Sequence, residues 1–268
     1  MSAESSPRVR REPPAFRQLT VAGTAQRTPH LVRVTLTGAE LKTFEPPDPA
    51  GSVRLLIPDE RGAELVIPVW NGNAFFHRDG RRPVIRTLTP LRHDADAGEL
   101  DVDVVLHGAA PLSEWAVAAQ PGDPAAVSGP GRGYSIDHEA ATYLLAGDES
   151  AIPAIGQLVE ALPASARTTV IVEVAHFDAR VAFADRSDVE VQWVDLPAGS
   201  EPGAALVAAV LESEVTADTR VWAAGEAAAM QRIRRHLFTV IGMIRSRATV
   251  RGYWKHGRAS SGDDGGGD

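Results

Sequence analysis

The chain has 268 residues, 44% of them hydrophobic and 23% charged, with a formal net charge of −8 at pH 7. That composition is ordinary for a soluble globular protein, and the negative charge argues against nucleic acid as the main partner. Cysteine is absent, which removes disulfides, thiolate nucleophiles, Cys-ligated zinc and iron–sulfur clusters together, so any redox chemistry requires a bound organic cofactor.

Residues 1–14, MSAESSPRVRREPP, lack an apolar core segment and read as a disordered arm, not a secretory signal. No apolar run is long enough to cross a membrane, so no membrane insertion is expected. The next hundred residues carry a period of two. In HLVRVTLTG, Val32, Val34 and Leu36 alternate with Arg33, Thr35 and Thr37. SVRLLIPD repeats the pattern with Val53, Leu55 and Ile57, and ELDVDVVLHG with Val102, Val104 and Leu106 against Asp101 and Asp103. Such alternation, broken by Gly and Pro turns, predicts antiparallel strands and a small barrel.

Between these strands lies PVIRTLTP, in which Arg86 follows the apolar pair Val84 and Ile85 and is flanked by Thr87 and Thr89. A guanidinium entering a core needs an anion to meet it. Either a local ion pair or a ligand phosphate would serve. After Leu106, His107–Gly108 make a turn, and Pro111 stands where a first helical residue belongs, with Ser113 one turn in. A glycine turn feeding a helix N-terminus can hold an anion, and Arg86 on a neighbouring strand could oppose it across a pyrophosphate; a strand–helix junction that binds nothing is the alternative.

Glycine and proline concentrate over 128–140, which marks a boundary. Beyond it the pattern alternates between short apolar strands (YLLAGD, TTVIVEVA, VEVQWVDL, RVWAAGE, ATVRGYW) and helical spacing (AIPAIGQLVEAL, GAALVAAVLESE, AAAMQRIRRHLFTVIG). The last of these helices sets Met230, Ile233, Leu237 and Ile241 on one face. This predicts a parallel sheet covered by helices on both faces, with a cleft between barrel and sheet. Gly147–Asp148 and Gly225–Glu226 stand at strand–helix turns where such a domain cradles a nucleotide, although packing glycines would look the same. Ser113 and Ser150 do not sit in a nucleophile elbow, and the eight histidines show no metal-ligand spacing, so no metal site is expected. From Ala227 to Gly262 there is no acidic residue among several arginines, a local field for an anion or a solvated helix face. RGYWKHGR then brackets Tyr253 and Trp254 with cations, and the Gly/Ser/Asp tail over 259–268 reads as disordered.

Taken together, RTLT (86–89), DVDVVLHG with PLSEWA, GDESAIPAI, AGE and GYWKHG resemble the siderophore-interacting protein family, a branch of the ferredoxin-NADP reductase-like flavoproteins, from about Phe16 to Gly257. The resemblance implies an N-terminal antiparallel FAD-binding β-barrel over 15–138, followed by a C-terminal parallel-sheet, nucleotide-binding α/β domain over 139–258. It implies FAD as cofactor, held by Arg86, Thr87, Leu88, Thr89, His107, Gly108, Ser113 and Trp254. NAD(P)H as donor would face Gly147, Asp148, Glu149, Ser150, Gly225 and Glu226; a reduced ferredoxin is the other donor it allows. The implied activity is cytoplasmic reduction of a ferric siderophore, with no catalytic side chain beyond the flavin and with Arg251, Lys255 and Arg258 as candidates to hold the anionic chelate. A broad NAD(P)H:flavin oxidoreductase and a non-catalytic siderophore-binding protein are the rival readings.

Overall fold

The computed structural model describes residues 12–107 and 110–257. The arm over 1–11, Gly108, Arg258 and the tail lie outside them. The first half forms β1 (Phe16–Thr28), β2 (Leu31–Thr37), β3 (Val53–Ile57), β4 (Val69–Trp70), β5 (Phe75–Phe76), β6 (Val84–Leu88), β7 (Pro90–Asp94) and β8 (Glu99–Val105). Helix α1 (Pro111–Ala118) and β9 (Pro124–Ser128) complete it. Seven of these strands make one antiparallel sheet in the order β6-β3-β9-β1-β2-β8-β7, while β4 and β5 pair separately. The two outermost strands, β6 and β7, are consecutive in the chain with only Thr89 between them, which curls the sheet into a barrel.

The alternation fixes which side chains fill that barrel. Val32, Val34, Leu36, Val53, Leu55, Ile57, Val102 and Val104 are buried in one cluster, closed at one end by Leu112 and Ala116 of α1. Asp101 and Asp103 sit on the opposite face yet are also buried. Cross-strand partners make this possible: Arg33 grips Asp103 through Nε (2.8 Å) and Nη2 (3.0 Å), while Thr35 Oγ1 (2.7 Å) and Arg92 Nε (3.1 Å) donate to Asp101. Once each carboxylate is hydrogen-bonded, its burial costs little.

The second half contains β10 (Thr142–Asp148), α2 (Ile152–Ala161), β11 (Arg167–Val174), β12 (Val189–Asp195), α3 (Ala204–Glu212), β13 (Arg220–Glu226), α4 (Ala227–Arg235) and β14 (Ala248–Trp254). Its five strands are all parallel, in the order β12-β11-β10-β13-β14. The strand order reverses beside β10, so a crevice opens at the carboxyl ends of β10 and β13. Separate apolar clusters cover the two sheet faces. The helix predicted over 227–242 ends early: α4 stops at Arg235 and a wide π turn runs from His236 to Val240. Met230, Ile233 and Leu237 are buried as their spacing requires, but the wide turn shifts the register and leaves Ile241 half-buried. No helix among the described residues is long and apolar enough to cross a membrane.

The two halves are tied across their cleft. The Gln157 side chain on α2 accepts from Ala50 N (3.0 Å) and donates to Pro90 O (2.7 Å). The His30 ring, on the β1–β2 turn, stacks at 4.5 Å on His176 beyond the end of β11 and meets Asp178 Oδ1 at 3.0 Å. The His30 carbonyl also accepts from Leu106 N, so this contact joins the segment entering α1 to the carboxyl edge of the parallel sheet.

Candidate functional site

Arg86 lies on β6, an edge strand paired only with β3. Alternation along the strand puts it on the same face as Val84 and Leu88, which pack against the barrel core, and α1 touches this strand as well. The guanidinium is half-buried, and its one described hydrogen bond runs from Nη1 to Ile85 O at 2.8 Å. No carboxylate among the described residues pairs with it. Burial alone pulls its pKa down from the ordinary value, with no anion to offset it. The local ion pair that the sequence left open is therefore absent among the described residues.

The neighbouring elements suit an anion. Helix α1 starts with Pro111 at its first position, and its N-cap residue, Ala110, offers no side-chain hydrogen bond. The N-terminal N–H groups of this helix are thus left without a side-chain cap. The buried Ser113 instead accepts from His107 N at 3.2 Å and closes the turn, leaving the His107 ring exposed. Thr87 is exposed and Thr89 buried. The Leu88 side chain packs into the barrel cluster, so its contribution to a ligand site is apolar support from behind. An arginine with no carboxylate partner among the described residues and a helix N-terminus without a side-chain cap, on touching elements, suit a diphosphate, so these residues fit a flavin adenine dinucleotide.

The other predicted residues meet at the switch point. Asp148, at the end of β10, is buried and fully engaged. Its Oδ1 accepts from Ser150 N (2.9 Å) and Ser150 Oγ (2.5 Å), and its Oδ2 from Glu226 N (2.8 Å) and Trp254 Nε1 (2.8 Å). Burial pushes its pKa up from the carboxylate range, and these hydrogen bonds pull the other way. Glu226 caps α4 through Ala228 N (2.6 Å) and Ala229 N (2.9 Å), and its other oxygen receives His256 N at 3.2 Å. Glu149 accepts from Ala175 N at 2.7 Å. A Cβ on Gly147 would fall 2.4 Å from Ala151 Cβ, and one on Gly225 2.5 Å from Asp148 Oδ2. At both positions a side chain would collide with its neighbours. Trp254, expected at the flavin, is thereby joined to the residues expected at the donor.

Tyr253 of β14 meets Trp222 edge-on, ring centroids 6.3 Å apart, and packs on the cluster that covers one face of the parallel sheet. Burial pushes its phenol up to about 12. Among the described residues of the basic segment, several cations have partners elsewhere. Arg234 donates to Val250 O, Arg247 pairs with Asp218, and Arg245 covers the Phe238 ring. Arg251 reaches the carbonyls of Arg132 and Gly133 at 3.3 and 3.4 Å, bracing the connection between the halves. Lys255 is exposed at the end of β14, at the carboxyl edge, whereas Arg232 and Arg235 end α4 away from that edge. Among the described residues no group of His, Asp or Glu could hold a metal ion.

An antiparallel barrel joined to a five-stranded parallel sheet is the architecture of the two-domain flavoproteins of the ferredoxin-NADP reductase type. The flavohemoglobin of Malassezia yamatoensis, solved with bound FAD and heme, shares this fold at a TM-score of 0.62 with 12% identity, covering 90% of this chain and 60% of that one. Residues 20–134 match the siderophore-interacting FAD-binding domain, and residues 140–257 match the siderophore-interacting protein model. The ferric vibriobactin reductase ViuB of Vibrio cholerae is 30% identical over 233 residues, 85% of each chain. A siderophore utilization protein from T. fusca superimposes with a TM-score of 0.81 at 35% identity, covering 94% of this chain and 97% of that one. The chain belongs to the siderophore-interacting protein family.

Proposed function

We propose that this protein is a flavin-dependent ferric-siderophore reductase acting in the cytoplasm. The observation that carries the reading is Arg86, a half-buried guanidinium with no carboxylate partner, on a strand that touches an uncapped helix N-terminus in a siderophore-interacting FAD-binding domain. The ferric vibriobactin reductase among the relatives supports the activity. When bound, FAD supplies the passage from a reduced donor, NAD(P)H or a reduced ferredoxin, to single-electron delivery onto Fe(III). The protein's own residues hold and align. Arg86 and the α1 N–H groups take the diphosphate, with Thr87, Thr89 and the His107 turn beside them. The hydrogen bond from Trp254 to Asp148 holds the indole at the carboxyl edge of the parallel sheet, where it would line the flavin site. Lys255, exposed on that edge, is positioned to attract an anionic chelate. No protein ligand to iron is needed, because the siderophore supplies the coordination and reduction weakens it.

The test begins with the visible spectrum of the purified protein, where bound flavin shows bands near ~370 and ~450 nm. The flavin is then reduced anaerobically and mixed with a ferric siderophore in the presence of a dye that traps Fe(II). Reoxidation of the flavin with stoichiometric dye colour supports the reductase. Bound flavin that ferric siderophore fails to reoxidise sinks it.

A further inference from the structure

The three α-helices of the parallel-sheet domain all begin at the carboxyl edge of the sheet, and a carboxylate of the domain itself stands at each beginning. Asp148 takes Ser150 N in the single turn ahead of α2, whose own N-cap residue offers no side-chain bond. Glu173, 3% exposed, receives Gly203 N at 2.7 Å and Leu206 N at 2.9 Å through its two oxygens at the start of α3. Glu226, 4% exposed, receives Ala228 N and Ala229 N at the start of α4. In sheets of this type the free N–H groups and the positive end of the helix dipole are what hold a dinucleotide's pyrophosphate. Here carboxylates already occupy two such donors at the start of α3, two at the start of α4 and one in the turn ahead of α2. The glycine that would let a phosphate approach the backbone, Gly225, faces Asp148 Oδ2 instead. A phosphate reaching this edge would have to displace a buried carboxylate that already has its hydrogen bonds, or sit beside it, and like charges brought together cost several kcal/mol.

We propose that Asp148, Glu173 and Glu226 exclude dinucleotide phosphates from the parallel-sheet domain, so that a pyridine dinucleotide is a poor donor to this protein and electrons reach the flavin from a donor that brings no phosphate to the helix ends. For its functional consequence this rests on the reductase reading; the exclusion itself does not. It assigns the three carboxylates a role in specificity in addition to their role as helix caps. Glu226 and Asp148, one at each side of the switch point, are the decisive pair.

The exclusion is measured by calorimetric titration of the flavin-loaded protein with ADP-ribose and with NADPH. The wild-type protein should give no saturable heat with ADP-ribose into the millimolar range. Glu226→Gln keeps an acceptor oxygen for the α4 N–H groups and removes the charge, so ADP-ribose affinity should rise about tenfold or more. Asp148→Asn provides the same comparison if Glu226→Gln does not fold, as judged by circular dichroism. Micromolar binding of ADP-ribose to the wild-type protein would overturn the proposal without any variant. So would a folded Glu226→Gln or Asp148→Asn protein whose affinity is unchanged or lower. The reductase reading fails separately: chemically reduced flavin in the wild-type protein would then fail to reduce ferric siderophore, whatever ADP-ribose does.

Discussion

Replacing Arg86 by methionine separates a ligand-binding arginine from a structural one. The side chain is half-buried on an apolar face of β6, and its only described partner is the Ile85 carbonyl next to it. Methionine is similar in length and apolar, so it suits that face, and no carboxylate is left unpaired by the change. The hydrogen bond from the charged guanidinium to the Ile85 carbonyl contributes about 1.5–3 kcal/mol, part of which is offset when the desolvation of a half-buried cation is removed, so the flavin-free protein should lose less than about 2 kcal/mol. A charge-assisted hydrogen bond to phosphate contributes about 1.5–3 kcal/mol, which corresponds to a loss of about 10- to 150-fold in FAD affinity. Two assays decide it: thermal unfolding of the flavin-free protein, and FAD titration followed by quenching of flavin fluorescence. A protein destabilised by more than about 2 kcal/mol with unchanged FAD affinity would refute the assignment and make Arg86 a structural residue.

The other predictions follow from single contacts. Gly225→Ala places a Cβ 2.5 Å from an Asp148 oxygen at φ 155°, so the thermal midpoint should fall by an amount equivalent to about 1–3 kcal/mol; an unchanged midpoint would show that the Asp148 network yields easily. Trp254→Phe removes one of the four donors that hold the Asp148 carboxylate in its charged form, and so raises its folded-state pKa further. The stability lost to that missing donor is present above the folded pKa and disappears as pH falls through it, so the variant should lie closer to wild type at pH 4 than at pH 7 in urea unfolding; a gap that does not change with pH would refute the coupling. All three tyrosines are held protonated by burial, Tyr134 and Tyr253 up to about 12 and Tyr143 in the same direction. Their stabilising effect is full below the unfolded pKa of about 10 and is lost as pH rises toward 12. Ultraviolet titration should therefore show little phenolate at pH 10 and a cooperative rise on alkaline unfolding; gradual ionisation near pH 10 in the folded protein would contradict the burial.

The second domain was almost wholly readable, because its central strands β10, β11 and β13 are buried on both faces and must be apolar runs, while each covering helix must carry an apolar stripe. TTVIVEVA, RVWAAGE and the Met230–Ile233–Leu237 spacing leave few other folds. Within the barrel, β2, β3 and β8 announced themselves by alternation, but β1 and β9 did not. FRQLTVAGTAQRT buries only Leu19 and Val21 fully, and PAAVS fills the interior with alanine and valine, so both strands are defined by what they pair with. The same limit governs the site. Arg86 was conspicuous, since a cation in an apolar strand requires an explanation whatever the fold. What meets it was not readable, because an ion pair and a phosphate site leave the same residues in the chain; only the packed structure shows that no carboxylate arrives. Asp148, Glu226 and Trp254 stood apart as motif residues separated by up to 106 positions. Parallel pairing brings the ends of β10, β13 and β14 to one edge, and only there does it become plain that the two carboxylates are bound by the protein's own N–H groups. Sequence determines which residues must be inside and at what period; which of a buried residue's possible partners it finds is a matter of distance, and distance belongs to the tertiary structure.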